Sequence, residues 1–518
     1  MSTINRNTIA LMPKVRDQAY KSGARSASHE LLTTSVLSIV GTTALVGLHH
    51  RYRKQQDPNA SLQDYMTGLR TQLRVSQSAD ETTPMLTRLR YACQQGAATW
   101  RQAYHHTIDN ADQYDASSFA DMHTTTLLAR PVSWVSGVAS MPKNHTSLNQ
   151  NEHDFGVVGI DADRQMVWQT TMPERVHDIV VQPVSVNVPE DQAQHSNDHQ
   201  GRHVVVMGRR PSEKFWVLST ANGQVQQAIK ADVNRHFYGH ACYSLDGNLL
   251  YVTENDTVSL VGKIGIYDAN NAYKKIAEFD SHGIGPHELI MHPDGDTLVI
   301  ANGGIKTEQA SREELNLDSM RPSLTYLNRH DGSLIEQVTP EHNQMSVRHL
   351  AMHKDGSVMI GIQFQGEKHI NVPLVLTHKR GDSHFTPLTM PNNQWQRFHQ
   401  YIASVAVDSE RNLLCVTTPI GGCAAIYDLH TRELIDDVNL PDCAGASVLA
   451  DSNISTHRAS DPMDSGFIVS DGQGQLTALR VTTVSETKSE TKVTEHRERI
   501  IKDSKLHMMS FDNHLQAL

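Results

Sequence analysis

The sequence predicts an all-β protein: a seven-bladed β-propeller of four-stranded blades, preceded by an N-terminal hydrophobic helix and a polar tether. Three observations predict it. From about residue 127 onward, short runs of Val, Ile, Leu and Tyr alternate with turn residues every eight to twelve positions or so, and no helical period is sustained. One unit packs four such strands into about 45 residues, the length of a propeller blade. Four segments also repeat one shape, a histidine, an apolar strand, a turn and a second apolar strand, and they begin at His177, His240, His287 and His349.

The elements follow in chain order. Residues 1–30 are basic at Lys14, Arg16, Lys21 and Arg25. Residues 31–48, Leu31 to Leu48, carry no charge and are followed by Arg51, Arg53 and Lys54. This stretch reads as a signal-peptide core or a transmembrane anchor, and the basic side before it orients the rest of the chain across the membrane. A buried soluble helix is the alternative. Residues 49–126 are polar and rich in Gln, Thr, Asp and Ala, as in a linker or a small helical appendage. The propeller is expected over 127–518.

Within it, Phe155 to Trp168 supplies one unit. A second runs from His177 through His203–Met207 and Phe215–Leu218 to Ile229. A third starts at His240, turns at Asp246-Gly247 and continues through Leu249–Thr253, Lys263–Asp268 and Lys275–Phe279. The next starts at His287 and turns at Asp294-Gly295. It resumes at Ser323–Leu327 after an insertion near 305–320. Further units start at His349, at Tyr401 and near Ala444, which makes seven. A circular array must close, so strands from the two ends are expected to share one blade. The Glu/Thr/Lys-rich stretch 480–500 reads as a loop insertion.

Composition narrows the function. A net charge of −11 excludes a general nucleic-acid binder, which needs a basic surface. The five cysteines are Cys93, Cys242, Cys415, Cys423 and Cys443, and no pair has metal-ligand spacing. Cys415 and Cys423 flank a tight turn, and either face each other across a hairpin or serve as small buried hydrophobes. There is no Gly-x-Ser-x-Gly elbow, phosphate loop, Gly-x-Gly-x-x-Gly or Cys-x-x-Cys-His.

The repeated histidines carry the sharpest functional signal. The first strand of each blade lines the central channel, so His177, His240, His287 and His349 are expected near one mouth, where imidazoles suit Fe, Cu or Zn. Their register is uneven. His287 lies seven residues before Asp294, whereas His240 and His349 lie six before Asp246 and Asp355. Neighbouring strand residues face opposite ways, so all four converge only if a bulge absorbs the offset. Strict register would instead put Glu288 beside His240 and His349. Polar residues lining the channel without a metal are the alternative. A second polar ring is expected where each blade's second strand ends. Arg209, Glu254, Asn255, Asn302 and Gln363 belong to it, and with Glu288 and Arg348 they form a candidate cup for a small polar ligand.

Several strings are distinctive together: His236-Phe237-Tyr238-Gly239-His240, Tyr251 to Asp256, Gly283 to Leu289, Ala301 to Ile305, Asn316 to Leu324, Val347 to Ala351, and the terminal Asp512-Asn513-His514. They resemble the bacterial family of domain of unknown function 1513 over about 127–479 and the last few residues. The resemblance implies a seven-bladed propeller exported to the periplasm and often encoded near imelysin-type iron-regulated proteins. It further implies that His514 returns to the channel as a fifth imidazole, or that the tail only closes the ring. The family's twin-arginine export signal is reduced here to the single Arg6 in Asn5-Arg6-Asn7.

Three functions follow as expectations. The first is a periplasmic protein, tethered at the inner membrane by its N-terminal segment, that binds a metal ion or small polar ligand at the channel mouth and assists iron-uptake proteins. The second is an Fe- or Cu-dependent oxidoreductase, with acid–base work falling to Glu254, Glu288 or a channel histidine. The third is an interaction scaffold.

Overall fold

The computed structural model describes residues 122–141, 155–184, 202–210, 212–307, 314–449, 466–487 and 494–518. The basic segment, the hydrophobic helix and nearly all of the tether lie outside them. No described helix is long and apolar enough to cross a membrane.

Among the described residues, the strands form seven antiparallel sheets. Blade 1 runs outward from Val176–Val181 through His203–Gly208 and Lys214–Ser219 to Val225–Lys230. Blade 2 starts at Arg235–Tyr243 and continues through Leu249–Asp256, Gly262–Asp268 and Lys274–Asp280. The innermost strands of blades 3 to 6 are Pro286–Met291, Met345–Met352, Ser404–Asp408 and Cys443–Val448. Blade 7 joins the two ends of the propeller. Its innermost strand, Ser510–Ala517, pairs with Trp134–Ser140, followed by Phe155–Ile160 and Met166–Met172. A fifth, outer strand, Thr124–Thr126, extends this sheet to a point N-terminal of residue 127. The seven innermost strands pack side by side in a closed ring.

A blade is covered on both faces by its neighbours, so its middle strands are apolar on both sides. The cores accordingly lie between blades. Trp168 and Val157 of blade 7 pack with Val204 and Trp216 of blade 1. Phe215 and Val217 meet Phe237, Tyr267 and Tyr273 of blade 2. Each such fully buried side chain contributes roughly 1.5–3 kcal/mol. The indoles also bond across the seams: Trp168 Nε1 donates to the Thr220 carbonyl at 3.0 Å, and Trp134 Nε1 to the Val448 carbonyl at 3.1 Å.

One local expectation changes and one open alternative is decided. The stretch 480–500 is not simply a loop. Gln475–Thr487 pairs residue for residue with Thr494–Leu506 as the long outer hairpin of blade 6. Val481 and Ile500 pack on the blade core, so β-branched content outweighs the polar composition there. Cys415 and Cys423 do not face each other. Cys415 pairs with Ile426 and Cys423 with Thr418, and both thiols are buried, Cys415 in the core between blades 5 and 6 and Cys423 in the core on the blade 4 side.

An ion pair reinforces the closure. Arg175, just before the first strand of blade 1, donates from Nε and Nη2 to Asp512 of the terminal strand at 2.6 and 2.8 Å. Arg209 approaches the same carboxylate at 3.6 Å. The Asp512 side chain is 0% exposed and that of Arg175 38%. Breaking a buried pair from one side costs about 3–5 kcal/mol, and the exposure of Arg175 reduces this to about 2 kcal/mol for Asp512→Ala. Urea melts of Asp512→Ala, Arg175→Ala and the double variant will show this loss and a coupling between the two sites.

Candidate metal centre

The innermost strands do not run in strict register. In blade 1, His177 and Asp178 together oppose one residue of the next strand, because Val176 pairs with Gly208 and Ile179 with Val206. In blade 3, His287 and Glu288 do the same between the pairs Pro286–Asn302 and Leu289–Ile300. Arg348 is the extra residue in blade 4, and Tyr238 to His240 bulge in blade 2. These bulges absorb the offset between the six- and seven-residue spacings. They turn the histidine of each blade toward the axis and leave backbone amides to be satisfied by side chains. Gly239 makes the approach possible: its φ is +109°, and a Cβ there would lie 2.6 Å from His177 Cδ2.

All five candidate imidazoles come together. Centroid distances run 4.7 Å from His177 to His240, 4.5 Å from His240 to His287 and 4.8 Å from His287 to His349. His514 closes the circle at 5.7 Å from His349 and 5.1 Å from His177. The terminal strand therefore both closes the ring and adds the fifth imidazole. His240 is the hub, since it also lies 5.0 Å from His514 and 5.8 Å from His349. The five belong to consecutive blades, 7 and 1 to 4. Blades 5 and 6 present small residues, Ser404 and Ala444-Gly445, on their inner strands.

Two carboxylates orient the rings. Asp178 lies 3.3 Å from His240 Nδ1 and 3.6 Å from His514 Nδ1. It also accepts the backbone N–H groups of Ile179 at 2.8 Å and Ala241 at 3.3 Å. Glu288 does the equivalent for blade 4, meeting His349 Nδ1 at 3.1 Å and accepting the Leu350 N–H at 3.0 Å. Each acid thus fills the bulge of the next blade and fixes that blade's imidazole. Strict register would have put Glu288 beside His240 as well as His349; the structure assigns His240 to Asp178. Asp178 follows His177 as Glu288 follows His287, and that paired His-acid step is the sequence signal that marks it.

Burial pushes His177, His287 and His349 well below the ordinary imidazole value, and His514 down to about 4. Burial also disfavours charge on His240, but Asp178 and Glu288 outweigh it and raise that ring. Asp178 is held low despite burial, chiefly by His240, whereas burial lifts Glu288 to about 7. Four imidazoles are thus kept neutral, the form that binds metals, and an ion held through His240 would displace the proton that Asp178 and Glu288 favour on that ring. His177 Nδ1, His240 Nε2, His287 Nδ1 and His514 Nε2 are buried without a hydrogen-bond partner. Two trios, His177–His240–His514 and His240–His287–His349, have ligand atoms within 4.8 Å of one another. Bonds of about 2.1 Å put tetrahedral donors about 3.4 Å apart, so inward shifts of about 1 Å would bring either trio to an ion. Carboxylates behind the rings are the usual outer support of such ligands.

The other candidates separate. Glu254 is engaged inside blade 2 by the Tyr267 hydroxyl and Lys275 Nζ, both at 2.7 Å. Asn302 donates within blade 3 to the Ser281 carbonyl and Thr325 Oγ1, and Gln363 donates to the Ile402 carbonyl. Arg209 serves Asp512. Asn255 is buried opposite His236 in blade 2, and Arg348, next to His349, donates to Ser346 Oγ at 2.8 Å. A ring defined by strand ends alone mixes such blade-internal side chains with channel-facing ones.

The neutral imidazoles have a consequence for acid stability. An unfolded chain takes up protons near pH 6.5, and the folded state refuses them at four rings. Their contribution is intact above about pH 6.5 and is lost as pH falls toward about 4. His240 and Glu288 have the opposite sign but are two groups against four. Thermal melts of chelator-treated protein between about pH 7.5 and 4.5 will show this decline, and His514→Gln will flatten it.

Comparison with known proteins places the chain. No curated protein matches it. A solved structure described as Kuenenia stuttgartiensis hydrazine synthase is 15% identical, covering 61% of this chain and 86% of that chain with a TM-score of 0.44. One described as the mitotic checkpoint complex is 14% identical, covering 54% and 73%, with a TM-score of 0.38. Likeness at these values says nothing about chemistry. A family model described as "Protein of unknown function (DUF1513)" matches residues 186–518. The chain belongs to this family.

Proposed function

We propose that this propeller binds a transition-metal ion in its channel through His240 and either neighbouring trio, with Asp178 and Glu288 as outer supports. The observation that carries the reading is the convergence of five imidazoles from five blades, three buried and two partly buried, four of them with a ring nitrogen that lacks a hydrogen-bond partner. Unpartnered buried nitrogens cost about 1–3 kcal/mol each, and coordination offsets that cost. Imidazole donors suit Zn(II), Cu(II) and Fe(II), in an affinity order that favours copper over iron. Because both trios share His240, one chain takes one ion. The role we assign is binding rather than turnover, in the periplasm and in the service of iron uptake. The resemblance of the motifs to an exported family and the hydrophobic segment 31–48 support that placement.

Elemental analysis of the full chain, purified without added metal, tests the reading. The expected result is close to one transition-metal ion per chain, lost in His240→Gln and retained in Lys354→Met, an exposed cation paired with Glu410. Equal metal content in wild type and His240→Gln would sink it. An iron content below that of zinc or copper in protein from iron-replete cells would remove the iron assignment alone.

A further inference from the structure

The metal reading does not use the connection that follows Asn302 in blade 3. Gly303 and Gly304 donate their backbone N–H groups to the carbonyls of Gly285 and Ile284, both at 2.8 Å. These bonds lay the connection against the entrance to the innermost strand of that blade, Pro286–Met291. Gly304 has a φ of +79°, and a Cβ there would lie 2.6 Å from Pro322 N. Asn316 fastens the same stretch: its Nδ2 donates to the Gly304 carbonyl at 2.9 Å, and its Oδ1 accepts the Lys306 N–H at 2.7 Å.

From there the connection reaches three other blades. In blade 4, Ser346 Oγ donates to the Gly303 carbonyl at 2.8 Å. In blade 2, the Tyr238 hydroxyl donates to the Ile305 carbonyl at 3.5 Å and lies 3.1 Å from Thr307 Oγ1. In blade 1, Arg210 Nη1 donates to the same Oγ1 at 2.8 Å, and Arg210 Cζ sits 4.8 Å from the centre of the Tyr238 ring. Residues 303–307 thus touch blades 1 to 4, the blades that carry His177, His240, His287 and His349. The contacts at the innermost strands come just ahead of the imidazoles. Tyr238 is two residues before His240, Gly285 two before His287 and Ser346 three before His349.

The bond between Arg210 and Thr307 joins blades that are not neighbours. Blades of a ring diverge outward, so a direct bond from blade 1 to blade 3 has to cross the inner end of blade 2. Tyr238 lies there, on the innermost strand of blade 2, and touches both partners. The bond therefore spans the channel mouth at which the innermost strands begin. The imidazoles behind it are closed off: His240 is 0%, His349 4% and His287 8% exposed, and Thr307 itself is 2% exposed. A buried metal site requires an entry path.

We propose that residues 303–307 are a gate over this mouth with Thr307 as its catch, and that the imidazoles of blades 2 to 4 are reached from solvent when Thr307 lets go of Arg210 and Tyr238. The inner end of the segment is fixed by two backbone bonds and by Asn316, whereas its hold on blade 1 runs through the single oxygen Oγ1 of Thr307. Local opening of this kind needs few contacts to break and leaves the cores between blades untouched. The proposal deepens the metal reading and rests on it for what passes the gate.

The test reads access to the rings without any metal, so that its outcome is separate from that of the metal reading. The full chain, stripped by chelator, is treated with diethyl pyrocarbonate, and the modification rate of each imidazole is followed by peptide mass spectrometry. Thr307→Val removes the oxygen that Arg210 and Tyr238 share and keeps the shape of the side chain. Modification of His240, His287 and His349 should then be about fivefold faster or more. The exposed His330 should react as in wild type. Tyr238→Phe, which removes one of the two bonds, should give a smaller rise. Thr477→Val deletes a comparable buried hydroxyl in blade 6, where Thr477 Oγ1 lies 2.8 Å from Ser504 Oγ, and should leave the channel rates unchanged. If Thr307→Val does not fold, Tyr238→Phe carries the decision. Channel rates equal to wild type in these gate variants, or an equal rise in Thr477→Val, overturn the proposal.

Discussion

The pairing of the terminal strand with Trp134–Ser140 is the constraint on which the rest of this molecule depends. Residues 510–517 complete blade 7 only by crossing back to Trp134–Ser140, hundreds of positions earlier. The Arg175–Asp512 pair fixes that strand against blade 1. Ring closure makes every inter-blade face a buried one, and so lets apolar strands with no exposed edge become a core. It also delivers His514 to the axis, between His349 and His177. Stability and site geometry therefore share one contact, and a chain without its terminal strand would lose both.

The bulges set the chemistry within that ring. A strictly paired strand would point alternate residues away from the axis, and histidines in unequal register would scatter. Inserting a residue re-aims the side chain but strands a backbone amide. Asp178 and Glu288 resolve the difficulty, each taking the amide of the adjacent blade's bulge and orienting its imidazole. The pattern repeats with a period of two blades, from 1 to 2 and from 3 to 4. It also explains the charge distribution. The hub His240 feels both Asp178 and Glu288 and is the one raised, while burial and neighbouring cationic groups hold the other four neutral.

Much of this was legible beforehand. The alternation of apolar runs and turns from Phe155 to Leu479 gives the blades, because strand period and turn chemistry are local properties. Repetition of His177, His240, His287 and His349 at blade-like intervals gives their convergence, because a circular array maps equal positions onto one axis. Glu288 was legible as a neighbour of His349. The role of Glu254 was not: its polarity at a strand end looks like that of a cup residue, yet it is satisfied by Tyr267 and Lys275 inside the blade. The pairing of 475–487 with 494–506 was hidden because composition does not reveal pairing partners.

The sequence by itself determined the blade count, the closure by the two ends and the identity of four of the five imidazoles, since periodicity and repetition are written in the order of residues; His514 was implied only by the family resemblance. Only the tertiary structure decided which carboxylate serves which histidine, that His240 is the shared centre, and that Arg210 and His236 meet on Tyr238. Those relations depend on bulges that shift register by single residues and on contacts between blades far apart in the chain. Neither leaves a periodic trace, because each is fixed by packing against a neighbour rather than by the local run of side chains.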